Sequence, residues 1–401
     1  MSTFPVDLLT EIFLLLPAKT LLRFKVVCKL WYHLITDLHF VNLHLQRSLV
    51  TKTNLHFVVR TPMLHLTDFD TFENIRELDY PFKHPDHGGV GVVGTCNGLL
   101  CLYEFEYYQI MIYNPTTQTN RLLPWLPTEE QLAYPHGSFY YGFGFDSVSQ
   151  DYKCVRIGQT YSNDPNSYYC RVMVYSFNNH FWKKGPDVPY FFYNHYESNA
   201  LLHETIHWVG AGSGDDRVPR PIVAFSLQDE KFSSLALPEF DVDQYIALNV
   251  AVLDGCLCLL VSYLYDCDVW IMEEYGVAGS WKKLFNVVKH ESIEHLERIV
   301  SYSTSGRGLF VRICFRQVAY LDLETKETTN VKVADFVRCL DAHICVDNLS
   351  MLDHHNYVYA EDEQQGKNNG KNKGKKKRRN KKRNARFSLV LSRVKFFRTQ
   401  L

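Results

Sequence analysis

A repeated pair of short apolar segments restricts the fold of this 401-residue chain more than any other feature. In each unit an apolar segment is followed by a second apolar or aromatic segment and then by a polar turn. Short apolar runs bounded by Gly, Pro, Asn and Asp are typical of β-strands. The five units are 96–102 with 111–115, 141–146 with 172–176, 206–209 with 222–226, 255–259 with 268–271, and 309–313 with 318–322.

The spacing of these units indicates their arrangement. Five aromatic residues mark corresponding places in the second segments, at intervals of 62, 50, 45 and 50 residues: Tyr113, Tyr175, Phe225, Trp270 and Tyr320. A period of about 40–50 residues with several strands in each unit is typical of β-propeller blades. We therefore predict an all-β, propeller-like domain, with one large β-sandwich as the alternative.

A different pattern occupies the first 45 residues. Pro5 and Pro17 bracket a helix, because proline is tolerated in a first turn and stops a helix later. Cys28, Trp31 and Ile35 follow at the spacing of a second helical stripe. Two or three short helices cannot enclose this much apolar surface by themselves. Either the rest of the chain covers them, as an N-terminal cap, or another protein does.

The residue identities in this segment resemble an F-box. The matching stretches are Phe4-Pro5-Val6-Asp7-Leu8-Leu9-Thr10-Glu11-Ile12-Phe13, Leu16-Pro17-Ala18-Lys19-Thr20-Leu21-Leu22-Arg23-Phe24 and Val27-Cys28-Lys29-Leu30-Trp31. Departures from the family pattern are mild: Phe4 and Phe13 replace Leu, and Thr20 replaces Ser. The resemblance implies three helices that dock on the Skp-type adaptor of a cullin-RING ubiquitin ligase. The residues it assigns to the adaptor are Pro5, Leu8, Leu9, Ile12, Leu15, Pro17, Leu21, Leu22, Val26, Cys28 and Trp31.

The β region carries a second resemblance, to the plant F-box-associated domain found in S-locus F-box proteins and in F-box/kelch-type relatives. It rests on Cys96-Asn97-Gly98-Leu99-Leu100-Cys101, Tyr113-Asn114-Pro115-Thr116-Thr117, Gly142 to Lys153, Val252 to Cys258 and Glu274 to Phe285. The resemblance runs from about residue 55 to 350. Together the two resemblances predict an α+β chain with an F-box at 1–47 and a kelch-type, propeller-like domain at 48–353.

The last segment, 354–401, differs in composition. From Gln364 to Leu401 there are 15 Lys or Arg and no Asp or Glu, which leaves 28 basic and 44 acidic side chains in the preceding residues. Residues 365–386 consist almost entirely of Lys, Arg, Asn and Gly, have little to bury and are predicted to be disordered, whereas Phe387 to Phe397 regains apolar character and is expected to form a short helix or a strand. The basic run supports three interpretations: a nuclear-localisation signal, a solvated run that folds back on the acidic body, or electrostatic nucleic-acid binding. Nucleic acid is the least favoured, because no aromatics interleave the charges. The candidate signal is Lys375, Lys376, Lys377, Arg378, Arg379, Lys381, Lys382 and Arg383.

One motif suggests catalysis. His203-Glu204-Thr205-Ile206-His207 fits the His-Glu-x-x-His pattern of zinc proteases, which requires a helix to bring both imidazoles to one face. Here Ile206 to Gly210 reads as a strand that runs into a turn, so we expect no zinc, no cofactor and no catalytic residue. Cys256 and Cys258 alternate with leucines and are expected in the core.

These observations lead to one functional hypothesis and two rivals. The leading hypothesis is a non-catalytic substrate receptor that links a Skp-type adaptor, and through it a cullin, to an unidentified protein target. Candidate target contacts are Tyr161 to Ser167 and Gly212 to Arg220. The rivals are a non-ligase binding module whose tail anchors it to nucleic acid, and the zinc enzyme. With no apparent leader and no apolar run of about 18 residues, we expect no membrane and a place in the cytoplasm, the nucleus or both.

Overall fold

The computed structural model describes residues 5–61, 63–69, 71–83, 89–105, 109–126, 138–161, 168–192, 199–211, 221–288, 296–313, 317–331 and 341–352. Within these ranges four helices come first, and every later regular element except two short 3₁₀ turns is a β-strand. The 3₁₀ turns are Pro81–Lys83 and Ala278–Ser280. Among the described helices, none is long and apolar enough to cross a membrane.

The helical region contains one helix more than was predicted. Its helices are α1 Val6–Leu14, α2 Ala18–Phe24, α3 Lys29–Thr36 and α4 Leu38–Thr51. Asp37 caps α4, because its carboxylate accepts a hydrogen bond from the Phe40 amide at 3.1 Å. His44 and Ser48 occupy buried positions on α4, so its inner face does not read as an apolar stripe. This is why the apolar pattern did not reveal the fourth helix.

The strands form six antiparallel sheets, which are the blades of a propeller. Blade 1 combines β1, β2 and β3 with the last strand, β25, and the others follow in chain order. The first half of the strands is β1 Leu55–Arg60, β2 Leu64–Asp68, β3 Arg76–Glu77, β4 Val90–Cys96, β5 Leu99–Glu104, β6 Ile110–Asn114, β7 Thr119–Leu122, β8 Ser138–Asp146, β9 Asp151–Tyr161, β10 Tyr168–Ser176 and β11 Phe181–Lys184.

Blade 2 is β4–β7, blade 3 is β8–β11, blade 4 is β12–β16, blade 5 is β17–β20 and blade 6 is β21–β24. The remaining strands are β12 Phe191–Phe192, β13 Ala200–Leu202, β14 Thr205–Ala211, β15 Ile222–Ser226, β16 Phe232–Leu235, β17 Ala247–Leu253, β18 Cys256–Ser262, β19 Asp266–Met272, β20 Trp281–Val288, β21 Leu296–Tyr302, β22 Gly308–Ile313, β23 Gln317–Asp322, β24 Thr328–Asn330 and β25 Asp341–Val346.

The core is divided into layers between neighbouring blades. Six buried apolar clusters lie in the propeller, and each draws its residues from two adjacent blades. A single β-sandwich would have one core between two sheets, so this division excludes the sandwich alternative. Every blade therefore needs both neighbours, and the ring has to close for the first and last blades to be covered.

The five predicted units are blades 2 to 6, and their marker aromatics all lie on the third strand of the blade. Tyr113, Tyr175 and Phe225 are fully buried, one residue before the strand ends. Trp270 and Tyr320 lie two residues before the end and are only partly buried. Because successive side chains on a strand face opposite sides, the assumed equivalence is wrong by one residue in the last two blades.

Blade 1 was not predicted because its strands come from both ends of the chain. β25 pairs with β1 in antiparallel register from Leu55 opposite Val346 to Arg60 opposite Asp341. Gly98, in the β4–β5 turn, packs against this junction with a φ of +78°, and a Cβ there would lie 2.2 Å from the Val346 carbonyl oxygen. Only glycine fits this approach.

Residues after β25 are held by the Asn-Pro-Thr-Thr turn of blade 2. The Asn114 amide donates to the carbonyl oxygens of Asn348 at 3.0 Å and Ser350 at 2.8 Å. The Thr116 hydroxyl donates to the Asp347 carboxylate at 3.0 Å. The motif at 113–117, which carries part of the family resemblance, therefore binds the segment after β25 and holds the C-terminal strand in the ring.

The propeller has two unlike ends. At the helix end lie the turns between the first and second strands of each blade, and here α4 leads into β1 while β25 leads out. At the opposite end, which we call the loop end, blades are joined by longer connections such as residues 236–246 between β16 and β17. The strands β9 and β14, which precede the candidate contact loops, finish at the loop end. Those loops, apart from the backbone of Tyr161, lie outside the described residues.

Candidate functional site: the exposed face of the N-terminal helices

The helices form a small core around three aromatic rings. Phe13 on α1, Phe24 on α2 and Trp31 on α3 pack with ring centroids 5.0–5.7 Å apart. Phe13 is the most buried of the three, and Leu21 and Ile35 beside it are fully buried. These contacts fix the relative orientation of α1, α2 and α3.

The propeller completes the helical core. The Leu16 carbonyl oxygen lies 2.9 Å from Nε2 of His44 on α4. Leu349, which follows β25, is buried in the same cluster as Phe13 and Phe40. The Lys52 ammonium, just after α4, pairs with the Asp254 carboxylate in the β17–β18 turn at 2.8 Å. The helical region is thus joined to the propeller by α4, by the C-terminal segment and by this exposed ion pair.

Two stripes run along α1, one facing inward and one outward. Leu9, Phe13 and Leu16 stand at i, i+4 and i+7, and all three pack into the helical core. Leu8, Ile12 and Leu15 repeat the same spacing one residue earlier and are 48%, 45% and 64% exposed. Residues with this spacing lie on one face of a helix. The outer stripe is therefore a continuous apolar row with no partner among the described residues of the chain.

Further exposed apolar side chains lie on the next two helices and between them. Val26 is 88% exposed and Val27 58% exposed, in the turn between α2 and α3. Leu30 and Tyr32 on α3 and Val6 on α1 are also exposed. We use "helical apolar face" as a collective name for the exposed apolar side chains of α1 to α3, which do not all point the same way: Val6, Leu8, Ile12, Leu15, Val26, Val27, Leu30 and Tyr32.

The predicted adaptor-binding residues divide between this face and the helical core. Leu8, Ile12, Leu15 and Val26 lie on the face, and Pro5, Pro17 and Cys28 are exposed at helix starts beside it. Partly buried members are Leu9, Leu22 and Trp31, and Leu21 is fully buried. In the free chain Leu21 holds the helices together and is not accessible to another protein.

Sequence reasoning missed Val6, Val27, Leu30 and Tyr32. Val6 and Val27 lie next to residues that the F-box pattern specifies and are not themselves on the list that the resemblance assigns to the adaptor. Leu30 and Tyr32 lie outside the stripe of Cys28, Trp31 and Ile35, so helical periodicity did not mark them.

The His-Glu-x-x-His segment is a β-hairpin, as the strand pattern predicted. His203 and Glu204 form its two-residue turn with φ of +47° and +58°, and β14 begins at Thr205. His207 is buried, with Nδ1 3.0 Å from the Ala200 carbonyl oxygen and Nε2 2.7 Å from the Tyr275 hydroxyl. Burial lowers the pKa of His207 to about 4, which keeps the imidazole neutral. The Nδ1 contact lies within the hairpin, between β14 and β13, and the Nε2 contact joins the hairpin to blade 5.

Several buried charges in the propeller are paired with one another. The Lys153 ammonium lies 2.9 Å from the Asp146 carboxylate and 3.0 Å from that of Glu230, which joins blades 3 and 4. Burial alone would raise the pKa of Asp146, but hydrogen bonds from Ser149 and Lys153 outweigh it and hold that pKa at about 2. Across the described ranges no three His, Cys, Asp or Glu side chains are placed to hold a metal ion.

The described cysteines are free thiols, and they include the Cys256 and Cys258 pair of β18. Cys258 is fully buried, and burial raises the pKa of its thiol to about 12. A thiol with so high a pKa is a poor nucleophile, which agrees with the expected core position.

Comparison with known proteins identifies both parts of the chain. Residues 1–43 match the F-box domain family, and residues 45–360 match the family described as the F-box associated beta propeller domain. This chain belongs to the F-box proteins with an F-box associated β-propeller. The order is F-box first and propeller second, and α4 lies across the junction of the two matches.

Several F-box proteins of Arabidopsis thaliana are similar to this chain over most of its length. F-box protein CPR1 is 32% identical over 392 residues, which cover 91% of this chain and 93% of that protein. F-box protein At4g22390 is 30% identical over 75% of this chain and 77% of its own length. F-box/kelch-repeat protein At3g23880 is 25% identical over 71% and 79%. The narrower resemblance to S-locus F-box proteins stays a prediction.

Proposed function

We propose that this protein is the substrate-recognition subunit of a Skp–cullin–F-box ubiquitin ligase and catalyses no reaction itself. Its helical apolar face binds a Skp-type adaptor, and the propeller holds the target. The observation that carries the proposal is the outer stripe of α1, because Leu8, Ile12 and Leu15 remain exposed beside a helical core that buries Phe13, Leu21 and Ile35. An exposed apolar face of this kind marks a protein–protein interface.

The division into core and face supports a docking role over a cap role. A helical cap on the propeller would bury its apolar rows against the strands. Here the propeller reaches the helices through α4 and Leu349, while the outer stripe of α1 stays outside the helical core and is about half exposed. The free protein therefore exposes apolar surface to water, which is unfavourable. Binding of a partner that covers this surface would release that free energy.

The loop end of the propeller is the proposed target-binding end. α4 and the C-terminal segment occupy the helix end, so a target held at the loop end would not compete with the adaptor for space. Transfer of ubiquitin would then depend on proximity, because the receptor contributes position and no reacting group.

The test is reconstitution with purified components. The full chain, a Skp-type adaptor and a cullin are mixed and separated by size-exclusion chromatography. The proposal predicts one ternary complex that forms only when the adaptor is present. A chain that elutes alone at micromolar concentrations of both partners, while remaining folded by circular dichroism, would contradict it.

A further inference from the structure

The stretch from Phe232 to Trp281 has an unusual charge distribution. Its 50 residues contain eight Asp or Glu and no Lys, Arg or His. They run from the outer strand of blade 4 through β17, β18 and β19 of blade 5. A surface of one charge sign attracts ligands of the opposite sign at moderate salt. What matters is where these carboxylates lie relative to exposed apolar side chains.

Strand pairing gathers exposed apolar residues at the loop end of blade 5. The Ile246 amide donates to the Ser262 carbonyl oxygen at 2.8 Å, which places Ile246 beside the β18–β19 turn. That turn presents Leu264 and Tyr265, 62% and 76% exposed. Asp266, the next residue, pairs with Val288 at the end of β20, and Val288 is 55% exposed. We use "blade 5 rim" for Ile246, Leu264, Tyr265 and Val288.

Carboxylates surround this rim. Asp241 and Asp243 are exposed in the connection that leads to β17, and Asp266 is partly exposed in the adjoining turn. Tyr263 joins the two segments, because its ring lies close enough to Asp241, Asp266 and Asp268 for their charges to raise its pKa, after burial, to about 12. Asp268 is buried and paired with Lys283 at 2.7 Å. Asp241, Asp243 and Asp266 therefore carry the negative charge of the rim.

An open groove lies along the outer strand of blade 4 and the start of the connection that carries Asp241 and Asp243. It has a volume of about 680 Å³ and includes Val242 together with Leu235, Leu237, Pro238 and Phe240. Glu239 stands exposed in the same groove wall. The groove thus combines apolar walls with a carboxylate, and its Val242 lies between Asp241 and Asp243 in the chain.

We propose that the blade 5 rim and its groove bind an extended segment of the target protein in which Lys or Arg alternates with apolar residues. The inference rests on the proposed role as a substrate receptor and assigns the chemistry of the target. Apolar side chains of the segment enter the groove and cover Leu264 and Tyr265. Its cations lie against Asp241 and Asp243, which are exposed, and Asp266, which is partly exposed.

The basic tail of the same chain begins far from this surface. The last described residue, Leu352, is held at the helix end, where its amide donates to the Thr119 hydroxyl at 3.0 Å. Thr119 belongs to blade 2, which lies across a six-blade ring from blade 5. The chain therefore leaves the described body at the other end and on the other side of the propeller.

The experiment measures fluorescence anisotropy of a labelled peptide of about ten residues, in which lysine alternates with leucine and tyrosine, with the full chain bound to its Skp-type adaptor. Asp241→Asn combined with Asp243→Asn removes two charges and keeps the side-chain shape. The matched control, Glu273→Gln combined with Glu274→Gln, removes two exposed charges from the same blade at the β19–β20 turn. Tyr265→Ser removes an exposed ring without touching the core.

We expect the rim variant to weaken peptide binding by roughly fivefold at low salt, the control to leave it unchanged, and Tyr265→Ser to weaken it by a similar factor. A peptide with glutamate for lysine should not bind. Equal effects of rim and control variants, or equal binding of the glutamate peptide, would overturn the assignment. Tighter binding after deletion of residues 364–401 would make the tail the occupant and would overturn it as well. Adaptor capture on the same preparations separates failure of this inference from failure of the proposed function.

Discussion

Leu8→Asp on the outer stripe of α1 tests the docking face most sharply. Leu8 lies in the first turn of α1 and is 48% exposed in the free chain. Because a carboxylate near a helix N-terminus is favoured by the helix dipole, the substitution should not destabilise α1. Any loss of adaptor binding then reports on the interface rather than on folding.

The magnitude follows from burial and charge. Full burial of a leucine side chain is worth about 1.5–3 kcal/mol, so covering the exposed half of Leu8 contributes about 1 kcal/mol. A carboxylate forced into the same apolar contact adds a desolvation cost of several kcal/mol. Together these terms predict a loss of about 4 kcal/mol, which corresponds to a dissociation constant roughly a thousandfold higher. Leu8→Ala should cost only about 1 kcal/mol, or fivefold.

The assay is isothermal titration of the Skp-type adaptor into the full chain, with thermal unfolding measured on the same samples. The matched control is Leu38→Asp, because Leu38 is 77% exposed and begins α4, which puts its new carboxylate in another first turn. The control should bind like the wild type. If Leu8→Asp binds as tightly as Leu38→Asp while both remain folded, the assignment of the outer stripe to the adaptor is refuted.

Three further predictions concern the core and the ring. Leu21 is fully buried, so Leu21→Ala should lower the stability of the helical region by about 2–5 kcal/mol and weaken adaptor binding with it. An unchanged stability of α1 to α3 in chemical denaturation would contradict this. Asn114→Ala should lower the free energy of unfolding, measured by urea titration, by about 2–4 kcal/mol, because the carbonyl groups of Asn348 and Ser350 lose their donor. Asn179→Ala is the control: the Asn179 amide donates within its own turn, to the Ser176 hydroxyl, so its loss should cost less than about 1 kcal/mol. Burial lowers the pKa of His207 to about 4, so the neutral imidazole stabilises the fold above the ordinary pKa of about 6.5, and this contribution is lost as the pH falls toward 4. Between pH 7 and pH 5 the free energy of unfolding of the wild type should fall by about 2 kcal/mol more than that of His207→Gln. Equal losses would be inconsistent with a buried neutral imidazole.

Much of the fold was readable from sequence because each blade is a local unit. The strand pairs of blades 2 to 6 lie close together in the chain, so period-2 patterning and turn residues indicate them directly. Blade 1 joins Leu55–Arg60 to Asp341–Val346, and nothing local in either segment reveals the pairing. For the same reason the sequence did not indicate that Asn114 binds the segment after β25 or that Leu349 packs in the helical core.

The docking face was predicted in part, for a related reason. Helical periodicity finds both stripes of α1 but does not say which one faces the propeller, because that depends on where α4 and the C-terminal segment lie. Leu21 shows the difference, since its motif position suggested a contact residue and the packing of α1, α2 and α3 buries it. The candidate nuclear-localisation residues, Lys375 to Arg383, lie outside the described residues, so their role stays a prediction.

Hydrogen–deuterium exchange of the full chain with and without a Skp-type adaptor tests the central claim most directly. The account predicts that added adaptor slows exchange in α1 and in residues 25–32 and leaves the loop end of the propeller, including residues 241–246 and 263–266, unchanged. Protection confined to the propeller strands, with α1 exchanging as it does in the free chain, would contradict it.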